Sequence, residues 1–372
     1  MIATQVYQRF GLTLSLLVFA TLGGSLCNAV AKADAGAYTG QVFVDASTGD
    51  DGNSGLSAKA AVASIRRGID LAQPGATVVV APGTYRERVV MKEAVSLRGG
   101  GPDTTIIEGP GISAVVYGAS HCRIEGFTIA GRADDDIDGV YCEDVNGLVI
   151  SRNVIKDNTW SGIHTVRSSI VVCNNLICNN RVAGIFLNYD SPNASSIVNN
   201  TLSGNRNEAD IAVWLGARAV IANNILDDIG LNEDPEDAVT LLYNDVLTQP
   251  VEGSNISVDP LFADPDKGDY HLKSQAGRWD SVGRTWVKDG ATSPCIDAGD
   301  PNDPVGSEPF PNGGRVNMGA YGGTAEASRS WFGKPTCETV VAGDINGDCR
   351  VDFIDMQIMA NHWLLDGRSG SR

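Results

Sequence analysis

The chain is short of aromatic side chains, at 6% of its 372 residues, and its middle carries no long amphipathic helical run. With 43 glycines and abundant Asn and Asp, these shortages leave many short strands and tight turns, and so a mainly β chain. Positive charge is also scarce: 28 Lys and Arg against 45 Asp and Glu give a net charge of -17. A field of that sign repels nucleic acid, which is excluded as an expected partner. Long apolar runs are missing beyond the N-terminal region, so no later segment is expected to span a bilayer.

The N-terminal run itself, Leu12 to Leu22, follows Arg9 and precedes Ala31, Lys32 and Ala33, a small-x-small cleavage site. Residues 1–33 are therefore expected to be an export signal; the competing membrane anchor needs about twice that apolar length. Export implies a secreted or cell-surface protein in an oxidising compartment. Eight cysteines are present, and loss of Cys27 with the signal leaves an odd number. Cys337 with Cys349, and Cys173 with Cys178, are pairs to weigh against burial of Cys122, Cys142, Cys173 and Cys178 as small apolar residues.

One pattern recurs along the chain: an aliphatic residue, two positions, Asn, one position, another aliphatic residue. It reads Ile150/Asn153/Ile155, Val172/Asn175/Ile177, Ile197/Asn200/Leu202 and Ile221/Asn224/Leu226, with Ile124/Phe127/Ile129 as a variant. Its period of about 22 to 25 residues suits a solenoid with one coil per repeat. A second pattern precedes it: Asp138-Gly139-Val140, Ser161-Gly162-Ile163, Ala183-Gly184-Ile185 and Ala209-Asp210-Ile211. The fixed phase of the Asn with its aliphatic neighbours predicts a ladder of side-chain amides along the coil axis. Leucine-rich repeats share the Asn but need a Leu-x-x-Leu-x-Leu frame that is missing here.

These repeats, the segment Gly49 to Leu56, the expected helix around Ser64 to Ala72 and the run Pro74 to Tyr85 resemble the right-handed parallel β-helix superfamily of secreted bacterial proteins, the pectate-lyase-like fold. The segments Ser293 to Asp300 and Asn317 to Tyr321 are similar to its closing segment. The resemblance implies a monomeric β-helix over 40–330 capped by that helix, with the stretch from Asp227 to Asp289 read as irregular final coils and inserted loops. The fold hosts lyases, hydrolases, epimerases and inert adhesins, so it leaves the reaction open.

Residues 337–366 form a separate expected module. Asp344, Asn346, Asp348, Asp352 and Asp355, with the Arg350 carbonyl, fall at the ligand spacing of a calcium loop, so Ca2+ is the expected cofactor. The loop and the helix after it, carrying Phe353, Met356, Met359, Ala360 and Trp363, resemble a type I dockerin half-repeat, which implies a cohesin-like partner. Cys349 stands where such loops have Gly, and one half-repeat is present where a dockerin has two.

Polysaccharide enzymes on this fold bind their chain along a sheet face. If Val140, Ile163, Ile185 and Ile211 point inward, then Tyr141, His164, Phe186 and Ala212 point outward, followed by Glu143, Val166, Asn188 and Trp214. Tyr141, Phe186, Asn188 and Trp214 are the expected substrate-binding residues. For a uronate lyase, His164, Lys156 or Arg167 is the expected base, with Asp134, Asp135, Asp136 and Asp138 as possible calcium holders. For a glycoside hydrolase the carboxyl pairs are Asp138 with Glu143, or Asp190 with Asp210. The near balance of charge from Arg86 to Arg181 leaves room for an acidic ligand despite the global charge. A secreted carbohydrate-active enzyme, with β-elimination ahead of hydrolysis, stands beside a non-catalytic glycan-binding or scaffold protein.

Overall fold

The structure is a computed structural model that describes residues 40–109, 113–131, 136–189, 191, 193–231, 239–249, 252–331, 343, 351 and 353–362. The export signal, Cys337, Cys349, Trp363 and every calcium-loop residue except Asp355 lie outside them. From Gln41 to Val246 the chain winds a parallel β-helix whose strands align into nine-, seven- and eight-stranded sheets. Each coil contributes one strand to each sheet, so every strand pairs with its equivalent one repeat away, as in Ile163 with Ile185 or Val172 with Ile197. Inward residues stack in columns: Val140, Ile163, Ile185 and Ile211 in one sheet, Ile150, Val172, Ile197 and Ile221 in another, all fully buried.

Three bends close each coil, and local chemistry explains them. Arg152, Asn174, Asn199, Asn223 and Tyr243 take the left-handed conformation just before Asn153, Asn175, Asn200, Asn224 and Asn244. That conformation turns the chain, and the following Asn satisfies the backbone groups the turn uncovers. Each Nδ2 donates to the Oδ1 of the next coil, from Asn153 to Asn175 at 3.2 Å through to Asn244 to Asn255 at 3.0 Å. A second ladder, unforeseen from the sequence, runs Asn158, Asn180, Asn205 and ends on the Asp210 carboxylate, with links of 2.8, 2.8 and 2.7 Å. It also explains the glycine column: a Cβ on Gly162 would stand 2.7 Å from the Gly184 carbonyl oxygen and 2.8 Å from Asn180 Nδ2.

The expected cap is a helix at Ile65–Leu71, started by the Ser64 hydroxyl, which accepts from the Arg67 N–H. Its Ile65 and Ile69 join the apolar core of Val42, Val44 and Val78, and Gly68 allows the close approach to Val44.

The described residues divide into two compact units, one lying within 40–259 together with 318–320, the other within 260–317 and from 321 onward. In the first unit the last parallel strands among the described residues are Val239–Leu242 and Asp245–Val246. The second unit contains antiparallel pairs, Phe262–Asp264 with Asp269–Leu272 and Arg278–Asp280 with Thr285–Val287, in place of further coils. Within it Arg278 bridges Asp269 and Asp289, each at 3.1 Å, and His271 Nδ1 lies 2.7 Å from Asp269. Cys178 is a free buried thiol while Cys173 is disulfide-bonded, so these two are not joined; Cys122 and Cys142 are free and buried. A short α-helix, Phe353–His362, follows the expected calcium loop, with Asp355 buried and Phe353, Met356 and Met359 exposed. No helix among the described residues is long and apolar enough to cross a membrane.

Candidate functional site on the seven-stranded sheet

In the seven-stranded sheet, Tyr117, Tyr141, His164, Phe186 and Ala212 are successive register partners, as are Glu143, Val166, Asn188 and Trp214. Because the neighbouring Val140, Ile163, Ile185 and Ile211 face the core, alternation sends the first row outward. The rings form a continuous series. Tyr117 meets Tyr141 edge-on at 5.9 Å, Tyr141 meets His164 at 5.3 Å, His164 stacks on Phe186 at 5.0 Å, and Phe186 meets Trp214 edge-on at 4.9 Å.

An open cleft of about 420 Å³ lies at one part of this row. Tyr117, Tyr141 and Trp160 give it aromatic walls; Asp136, Asp138 and His164 give it polar ones. Asp138 is buried, accepts the Ser161 N–H at 3.0 Å through Oδ1, and holds His164 Nδ1 at 3.1 Å through Oδ2. Burial pushes the Asp138 carboxyl above its ordinary pKa, against the opposing hydrogen bond from His164. With Asp138 ionised, the imidazole keeps its proton on Nδ1 and turns Nε2 into an acceptor. Nε2 is buried and has no hydrogen-bond partner among the described residues.

The other expected site residues are distributed differently. Arg167 gives two hydrogen bonds to Asp144, at 2.8 and 2.9 Å, and one to Glu143 at 2.8 Å. Those carboxylates raise its pKa further, so Arg167 stays charged and cannot be a base. Lys156 belongs to the strand Val154–Lys156 of the eight-stranded sheet, beside Asp157, and is not among the residues that line the His164 cleft. Glu143 accepts from the Tyr141 hydroxyl at 3.1 Å as well as from Arg167. It lies five residues from Asp138 in one strand, a backbone span of about 16 Å, well beyond the separation of two glycosidase carboxyls. Asp210 is fully buried within the second Asn ladder, its pKa pushed up to about 7 by burial, and Asp190 lies outside the described residues.

Of the acidic run proposed for calcium, Asp134 and Asp135 lie outside the described residues, while Asp136 pairs with Arg181 and Asp138 with His164. No group of three or more His, Cys, Asp or Glu placed to hold a metal occurs among the described residues. Phe186 is buried, with His164 and Trp214 against it, and therefore packs the row rather than presenting a face to a sugar. Asn188 and Trp214 are half-buried.

Tyr117, Trp160 and Asp136 line the cleft without having been singled out as sugar contacts. Tyr117 stands one repeat before Tyr141, a signal hidden because its strand, Ala114–Tyr117, lacks the glycine of the later coils.

A family model described as periplasmic copper-binding protein (NosD) matches residues 99–231, and one described as disaggregatase related matches 242–299. A cell surface glycoprotein of Methanothermus fervidus is 30% identical over 88 residues, 24% of this chain and 14% of that protein. Among solved structures, an alginate lyase from Paenibacillus sp. aligns at 16% identity and TM-score 0.38 over 56% of this chain and 75% of that one. The pectate lyase Pel9A aligns at 14% identity and TM-score 0.33 over 79% and 97%. The pectin methylesterase PemA from Erwinia chrysanthemi aligns at 12% identity and TM-score 0.31 over 60% and 93%.

Proposed function

We propose that this chain is a secreted or surface-displayed carbohydrate-active protein that binds an acidic polysaccharide on its seven-stranded sheet and cleaves it by β-elimination. Its support is the His164 imidazole, oriented by Asp138 at 3.1 Å within an aromatic-walled cleft. His164 Nε2, buried in the unliganded chain, takes the proton on the carbon next to the uronate carboxylate once the side chains over it part for the substrate. The freed electron pair forms a carbon–carbon double bond, and the bond to the leaving sugar oxygen breaks. Tyr141, whose hydroxyl is pushed up to about 12 by burial and by the Glu143 carboxylate, is the neutral donor for that oxygen. Hydrolysis is the weaker alternative because Glu143 lies five residues along the strand from Asp138, and Asp210 is fully buried in the second Asn ladder.

Incubating the full chain with a panel of polyuronates and following absorbance of the unsaturated product tests the proposal. His164→Ala is expected to lower kcat/KM on the order of a thousandfold. Asp138→Asn should lower it less and alter the pH profile, since Asp138 acts through the ring. Product from no substrate, with binding retained, would instead favour the non-catalytic glycan-binding protein, a reading supported by the mutual packing of the rings from His164 to Trp214.

The C-terminal module is proposed to bind Ca2+ through Asp344, Asn346, Asp348, the Arg350 carbonyl, Asp352 and Asp355. Burial of Asp355 beside exposed Phe353 and Met356 suits a closing ligand on a helix that offers a cohesin-like module an apolar surface. Asp344→Ala is expected to abolish calcium binding measured by titration; unchanged affinity would reject the ligand set.

A further inference from the structure

Three cationic or titratable side chains around this outer face are matched with carboxylates. Arg167 is tied to Glu143 and Asp144, Arg181 to Asp136, and His164 to Asp138. Arg88 differs: its guanidinium lies 5.7 Å from the centre of the Tyr117 ring, and no carboxylate among the described residues forms an ion pair with it. Arg88 directly precedes the edge strand Val89–Val90, where Val90 is the register partner of Tyr117. Exposure of Arg88 and Val90 on either side of buried Val89 puts Arg88 on the outward face, with the cleft-lining Tyr117.

We propose that Arg88, carried over the Tyr117 ring, binds an anionic group of the polysaccharide and selects acidic chains over neutral ones. The strand it precedes is three positions from that of His164 in the sheet order, about 14 Å at ordinary strand spacing. It therefore reads a sugar distant from the bond that breaks, and leaves the chemistry at His164 unaided. An exposed guanidinium suits the role because it stays charged, gives paired hydrogen bonds to a carboxylate or sulfate, and rests against an aromatic face that also accepts a sugar ring. Because Arg167, Arg181 and His164 are each matched with a carboxylate and Arg88 pairs with none among the described residues, the Arg88 charge is available to a ligand beside Tyr117.

This inference rests on the polysaccharide-binding function proposed above, and binding measurements separate the two. The full-length protein, Arg88→Ala and Arg88→Lys are titrated calorimetrically with a polyuronate and with its methyl-esterified, uncharged form. Arg88→Ala is expected to weaken binding of the polyuronate about tenfold and leave the esterified form unaffected, with Arg88→Lys recovering part of the loss. Raising the salt concentration should shrink the difference between wild type and Arg88→Ala on the polyuronate. Equal loss on both polymers, or none on the polyuronate, overturns the role of Arg88 while leaving polysaccharide binding in place. If the wild-type protein binds neither form of any polymer in the panel, the proposed function falls and this subsite with it.

Discussion

At the scale of single residues, the buried acids give this protein an unusual response to pH. Burial lifts Asp210 to about 7, Glu308 to about 8 and Asp297 to about 6. A carboxyl whose folded pKa lies above its unfolded value near 4 binds a proton more tightly in the native state. Stability from these groups is therefore full in acid and falls as pH rises from about 4 to about 8, by about 1.4 kcal/mol for each unit a pKa is raised. His271 adds to the same trend. Burial alone would lower its pKa, but Asp269 and Glu326 outweigh that and raise it, so its contribution is present in acid and lost as pH climbs through the raised value. Urea unfolding at pH 5 and pH 8 should show lower stability at the higher pH, with a shallower slope in Asp210→Asn. A protein equally stable at both values would show that these acids are not buried as described. Nothing in the local sequence marks these acids, since Asp210 looks like a surface strand residue until Asn205 and Asp227 close around it.

At the scale of elements, the Asn ladder was legible because a buried polar residue must keep a constant phase with its aliphatic neighbours. Asn153, Asn175, Asn200 and Asn224 all take their expected places. Asn244 and Asn255 extend the ladder but were missed: the repeat around them lacks a clean aliphatic frame, and Asn255 reaches Asn244 from a loop rather than a strand. The second ladder escaped for another reason. Asn158, Asn180 and Asn205 follow the left-handed residues Asp157, Asn179 and Gly204, and turns rich in Asn and Gly look solvent-exposed when read locally. The outward row from Tyr141 to Trp214 followed from strand alternation, whereas the burial of Phe186 and the capture of Arg167 by Asp144 depend on neighbouring side chains that one strand cannot reveal. Asn200 tests the ladder itself, since its amide donates to Asn224, Val172 and Val198 and its oxygen accepts from Asn175. Asn200→Leu leaves buried groups above and below it unpaired and is expected to lose about 3 to 5 kcal/mol in urea unfolding. The half-buried end residue should matter less, so an Asn255→Leu loss as large as that at Asn200 would deny the ladder its internal role.

At the scale of the whole molecule, the parallel β-helix is a stack in which strands pair with those one repeat away, and this makes the length of the solenoid adjustable in whole coils. Removing residues 161–182 deletes the strands Ile163–Val166, Ser169–Cys173 and Leu176–Cys178, one from each sheet. The new neighbours are already in phase: Val140 faces Ile185, Ile150 faces Ile197, and Asn153 faces Asn200, because each member shared the deleted register partner. Gly139 likewise meets Gly184, so the crowded column by the second ladder closes without a clash. The shortened protein is expected to keep its strand content by circular dichroism and to melt cooperatively, below wild type by the loss of one interior repeat and of the Cys173 disulfide. A deletion of half that length displaces the inward columns, the ladder and the glycine column together, and should yield a chain that does not melt cooperatively. Since the excised coil carries His164, it should also abolish any cleavage. Cleavage persisting in a folded, shortened protein would place the chemistry away from the Asp138 cleft, whereas collapse of both deletions alike would show that the coils depend on more than their immediate neighbours.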